Sequence, residues 1–210
     1  MSGALYRIGR KASEVLSGSL LAVGQTFAGD GNGRAVSVQL PSTLAQAGAQ
    51  SQITLGTSDV SLLSTSGALT WPAGRIAAGD VLDVFAYVAA VQQSGAGAQW
   101  TAKLKVGAAT LAAFTAPSMG TSASTRRMML RFRALCTAVN AQRVALDWNV
   151  ATAGSTAPYA GGSLIDTTTG AVDLSAASTV DLTLASSTAT AGQTATLDQL
   201  EVVHFPYRGV

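Results

Sequence analysis

The chain has 210 residues, of which 48% are hydrophobic and only 11% charged, with a net charge of +2 at pH 7. That balance is too small to suggest nucleic acid or an anionic membrane as the main partner. The single cysteine, Cys136, excludes an internal disulfide framework and a cysteine-built zinc site, and no apolar run approaches the ~20 residues that span a bilayer. A soluble domain usually carries about a quarter charged residues. A surface with less than half of that is poorly solvated, which points to burial against copies of the same chain or other neighbours.

Residues 1–18 stand apart. Arg7, Arg10 and Lys11 sit together, with apolar Leu5, Ile8, Ala12, Val15 and Leu16 at near-helical spacing. A short amphipathic helix or a docking arm both fit that pattern. The stretch has no continuous apolar segment of the secretory kind, so synthesis in a cytoplasm is expected.

Residues 19–66 read as extra strands or a small β subdomain. Strands are expected around Leu20–Phe27 and Ala35–Leu40, separated by Gly29-Asp30-Gly31-Asn32-Gly33. Those glycines supply a reversal. They match neither a phosphate-binding loop nor a calcium loop, because no lysine–serine pair follows and no glutamate closes the loop. Pro41 to Gln50 reads as a small-residue linker, followed by short strands at Ser51–Leu55 and Val60–Ser64.

From residue 67 to 210 the pattern sharpens. Val81 to Val91 is apolar on both faces except at Asp83, so both faces are expected to be covered, the second by a loop, the arm or another subunit. Trp100, Ala102, Leu104 and Val106 alternate with Gln99, Thr101, Lys103 and Lys105, and Ala109–Phe114 follows. Arg126 to Val150 reads as two long strands joined by the linker Thr137–Gln142. Met128, Leu130, Phe132, Ala134 and Cys136 share one face, and Val144, Leu146, Trp148 and Val150 share another. Ala153 to Gly162 reads as a loop; Val180–Ala185 and Thr194–Phe205 close the chain. Many short strands with turn signals between them and almost no helix predict an all-β fold. The architecture expected is an antiparallel β-sandwich, jelly-roll-like, with a short N-terminal arm or helix.

Little in the sequence carries chemistry. His204 has no partner fixed by its neighbours in sequence and reads as a strand-end histidine with a satisfied hydrogen bond, no Gly-x-Ser-x-Gly elbow is present, and Cys136 falls on an apolar strand face. The acids are scattered; Asp80/Asp83 and Asp198/Glu201 are three apart, which places each pair on opposite strand faces. Neither a metal, a cofactor nor a catalytic residue is expected. The one local charge anomaly is arginine: Arg126, Arg127, Arg131, Arg133 and Arg143 fall within 18 residues that hold no acid. Arg127, Arg131 and Arg133 share one strand face, which suits a subunit interface or a polyanion dock, or else a solvated face with a partner such as Asp147. Trp71, before Pro72, and Tyr159 are the aromatic residues in loop contexts, available for stacking on a ligand.

An arm followed by a Thr/Ser/Ala/Gly-rich β domain resembles the virion proteins of tailed bacteriophages. The likeness lies in the strand rhythm over Ala68–Phe205 and the closing stretch Thr194 to Val202. In that group small jelly rolls, similar in outline to the tumour-necrosis-factor class, serve as capsid decoration proteins, head fibres or tail tips. The resemblance implies a homotrimer located on the virion. It would be fixed to the major capsid protein or another virion protein through Leu5, Tyr6, Arg7, Ile8, Arg10 and Lys11. The alternative is a phage tail or receptor- or carbohydrate-binding module using Trp71 and Tyr159; an enzyme is the reading with least support.

Overall fold

The computed structural model describes residues 25–29, 35–39, 41–74, 76–93, 99–116, 124–152, 158–164, 171–174, 176–188 and 192–207. The chain divides into two compact units, one spanning Met1–Ser42 with Arg208–Val210 and the other Thr43–Tyr207. The expected arm, residues 1–18, lies outside the described residues. In the first unit, β1 (Gln25–Gly29) and β2 (Ala35–Gln39) pair antiparallel, from Gln25 opposite Gln39 to Gly29 opposite Ala35.

The second unit is all-β among the described residues. Its strands are β3 (Ser42–Ala47), β4 (Ile53–Thr54), β5 (Val60–Ser61), β6 (Leu69–Trp71), β7 (Val81–Gln93) and β8 (Trp100–Val106). They continue with β9 (Ala109–Thr115), β10 (Ser124–Ala138), β11 (Ala141–Thr152), β12 (Pro158–Leu164), β13 (Ser178–Ser186) and β14 (Thr194–Phe205). They form two sheets. The larger runs β12-β11-β10-β7-β14-β3, with β4 also on β14. The smaller runs β5-β13-β8-β9, with β6 also on β13. The chain pairs like a ribbon folded back on itself. β3 and β4 lie on β14, β5 and β6 on β13, β7 on β10, and β8 on β9. β7–β14 and β8–β13 pairings then knit each sheet together.

Alternation explains the packing. Leu82, Val84, Ala86 and Val88 of β7, Leu130 and Phe132 of β10, Leu146 of β11, Leu200 and Val202 of β14 turn one way. They meet Trp100, Leu104, Leu111, Phe114, Leu182 and Leu184 of the smaller sheet in one continuous core. The sandwich of two antiparallel sheets is therefore closed by apolar side chains from both inner faces.

Three local expectations need correction. Pro41 to Gln50 is not a linker, since Ser42–Ala47 forms β3. Its small, mixed residues show no apolar alternation, and its place is set by the neighbouring strand rather than by its own composition. Likewise Ala153 to Gly162 is not wholly loop, because β12 begins at Pro158 and pairs along β11 from Leu146 opposite Leu164 to Ala151 opposite Pro158. The β10–β11 hairpin is tighter than the six-residue linker implied: only Val139 and Asn140 turn, and a bulge between Cys136 and Ala138 absorbs the difference. The outward side of β7 is covered in part within the chain itself, with Val81, Phe85 and Tyr87 half-buried.

Gly79 fixes one end of this sheet. Its φ is +92°, and a Cβ there would lie 2.7 Å from Cγ of Tyr207. Gly79→Ala therefore combines left-handed backbone strain with a clash and is expected to cost about 2 kcal/mol or more by urea denaturation. Gly67→Ala, with φ +68° but nothing within 4 Å, isolates the backbone part and costs less.

Candidate functional site

Two groups of interacting polar side chains lie on the larger sheet. The first lies on its outward face. Cross-strand register places Arg131 opposite Phe85 and Arg133 opposite Asp83. Asp83 accepts two hydrogen bonds from Arg131 Nε, at 2.9 and 3.0 Å, and further bonds from Nη2 of both Arg131 and Arg133. Burial by itself raises the pKa of Asp83, but the hydrogen bonds and charges of Arg131 and Arg133 outweigh it and hold the carboxyl below the usual aspartate range. The hydrogen bond and charge of Asp83, with a smaller contribution from Asp147, raise the Arg131 pKa in return.

Arg127, Arg131 and Arg133 share one face, as their alternation predicts, and all three are exposed there with Arg143. Arg126 departs from the cluster: it is buried, on the core side of β10. Asp147 does sit opposite Arg131 in register and accepts a hydrogen bond from Ser163 at 2.6 Å. The carboxylate that Arg131 and Arg133 grip is Asp83, 48 and 50 positions away, which no local spacing discloses. Around these charges the face is apolar. Met129, Leu135 and Phe205 are 38%, 42% and 38% exposed, and Phe85 and Tyr87 lie between their strands.

The second group is at the end of the same sheet and lies inside the protein. Asp80 Oδ2 is 2.8 Å from His204 Nε2 and accepts the Ala77 N–H at 2.8 Å; Oδ1 accepts the Tyr207 N–H at 2.6 Å. Cys136 is tied alongside through its backbone, donating to Asp80 O at 2.9 Å and accepting from Gly79 N at 2.7 Å. A cysteine, a histidine and an aspartate thus converge although they are far apart in sequence. The thiol is fully buried, however, and burial, helped by the Asp80 charge, pushes its pKa up to about 12. At neutral pH it is a protonated small hydrophobe rather than a nucleophile. The Asp80 carboxylate acts as a clasp, fastening the end of β14 to the turn before β7.

The smaller sheet carries a third charged group, in which Asp59 bridges Lys103 and Lys105, each at 2.9 Å. Burial raises the Asp59 pKa, and the bonds and charges of Lys105 and Lys103 overcome this and lower it. A shallow depression lined by Thr70, Gly107, Ala177, Ser178 and Thr179 has no titratable side chain. Among the described residues no three His, Cys, Asp or Glu side chains gather as metal ligands.

The other candidates fare differently. Leu5, Tyr6, Arg7, Ile8, Arg10 and Lys11 lie outside the described residues. Trp71 ends β6, opposite Ser178, and Tyr159 falls in β12; their side chains lie outside what the structure describes. Trp100 is wholly buried as expected, whereas Trp148 is half-buried, its ring 4.8 Å from that of Phe114. No family model matches the chain, and no curated protein is significantly similar to it.

Two outcomes follow from these groups. Because the Asp83 pKa is lowered on folding, its contribution is complete above the ordinary aspartate value of about 3.9 and is lost as pH falls through the lower folded value. Denaturation midpoints should therefore decline below about pH 4, and Asp83→Asn should flatten part of that decline, Asp59 supplying the rest. Cys136 should resist a thiol-specific reagent in the native protein and react at once in denaturant; rapid native labelling would contradict its burial.

Proposed function

We propose that the protein is a non-enzymatic structural component of a bacteriophage virion. In this reading it is a capsid-associated decoration or head-fibre protein of jelly-roll type that assembles as a homotrimer and docks through its N-terminal segment. The observation that carries the reading is the outward face of the larger sheet. Three exposed large apolar side chains and two half-buried aromatic ones are set there around paired charges, in a chain otherwise poor in charge. A face of that composition is suited to association.

The strand order supports the jelly-roll part. With β3/β4 and β5/β6 each taken as one strand, the pairings are first with last, second with seventh, third with sixth and fourth with fifth; β11 and β12 form an added hairpin on the larger sheet. Such nested pairing is how a ribbon rolls into a double-sheet jelly roll. The inert thiol and the clasped histidine are also in keeping with a structural role.

Multi-angle light scattering on the purified chain is expected to give three times 21.1 kDa. A species that stays at 21.1 kDa at micromolar concentration would overturn the assembly reading. Removing residues 1–18 is expected to leave the β spectrum and melting temperature of the sandwich unchanged while abolishing binding to the purified parent particle. Full binding by the truncated chain would take the N-terminal segment out of the mechanism.

A further inference from the structure

The outward face of the larger sheet is electrically lopsided in one direction only. On β10 and β11 it presents Arg127, Arg131, Arg133 and Arg143 against Asp147; four arginines against one aspartate leave three formal positive charges. On β7 and β14 it presents Asp83, Asp198 and Glu201 and no lysine or arginine, which is three formal negative charges. Strands β3, β4 and β12 carry no charged residue. The face as a whole is therefore neutral, with its positive half on β10–β11 and its negative half on β7–β14.

Along the strands there is no such separation. Arg127 lies near the start of β10, while Arg143 lies opposite Leu135 near its far end. Arg131 and Glu201 stand at the same height, both opposite Phe85. Leu135 and Phe205 also share a height, both opposite Val81.

These positions restrict how a second copy can lie on the face. A rotation axis running across the strands sets β10 on β10, arginine against arginine, which is repulsive. A rotation axis parallel to the strands preserves height and exchanges the two halves. Arg131 of one copy then meets Glu201 of the next, and Leu135 meets Phe205, so that both the ionic and the apolar contacts are satisfied together. Building on the self-assembly reading, we propose that copies associate through this face about an axis parallel to the strands, the β14 side of each against the β10–β11 side of its neighbour. All copies then point the same way, with their Asp80 clasps at one common pole.

The test reverses charge on each half of the full-length chain. Arg127→Glu with Arg143→Glu, and separately Asp198→Lys with Glu201→Lys, should each raise the self-dissociation constant at least about tenfold. The chain carrying all four substitutions should recover the wild-type stoichiometry and affinity. Raising salt from about 50 to about 500 mM should weaken the wild type. Unchanged or tighter association after reversing the arginines, or no recovery in the fourfold variant while its circular dichroism stays native, would overturn the proposed mode. The glutamine pair Arg127→Gln with Arg143→Gln gives the same reading, with a smaller loss, if a reversal impairs folding. A monomeric wild type would instead overturn the assembly reading itself, and the two failures are thereby told apart.

Discussion

Strand β7 sets the constraint on which the rest depends. It is paired on both sides, by β10 and by β14, so its register is fixed twice. Its inward residues Leu82, Val84, Ala86 and Val88 are 3% exposed or less. A slip of one residue would bring Asp83 into the core and turn these four side chains to water. Asp83 opposes that slip from the other side, because its carboxylate is held by two guanidinium groups of β10. The same ionic contact that secures the fold also lays down the charge on the outward face.

The hairpin of β10 and β11 and both faces of β8 are legible in the sequence because large apolar and charged residues alternate along them; β14 is legible as a strand, but the register shift around Asp198 brings Asp198 and Glu201 to the same outward face, against the opposite faces that their spacing of three implies. Strands β3 and β12 are not legible. Their residues, Ser42 to Ala47 and Pro158 to Leu164, are uncharged and mostly small, without apolar alternation, and they take strand form by lying along β14 and β11. Composition shows which face of β10 bears arginine. It cannot show that Asp83 lies across from Arg133, or that Asp80 lies beside His204 at a separation of 124 positions. Those meetings are products of strand order, and strand order is a long-range property. The strand-end place of His204 implies a hydrogen bond but not that Asp80 is the partner.

Scarcity of charge gives the outward face its weight. With 24 formally charged side chains among 210 residues, a surface that holds eight of them is a departure from the rest of the molecule. The arrangement is balanced, four of each sign, and it is interleaved with Met129, Leu135 and Phe205. Complementary fields of this kind contribute more to orientation and specificity than to raw affinity, while apolar burial supplies the affinity. The closed core beneath and the patterned face above come from the two sides of the same four strands, β7, β10, β11 and β14.

The glycines of β12 have an optical consequence. Gly162 is exposed, and a Cβ there would sit 3.3 Å from the indole nitrogen of Trp148, so only hydrogen separates that ring from the last strand of the sheet. Trp100, by contrast, is sealed in the interior. The two indoles therefore sit in media of different polarity, and the emission colour of Trp148 is a built-in gauge of whether that flank of the sheet is zipped or frayed.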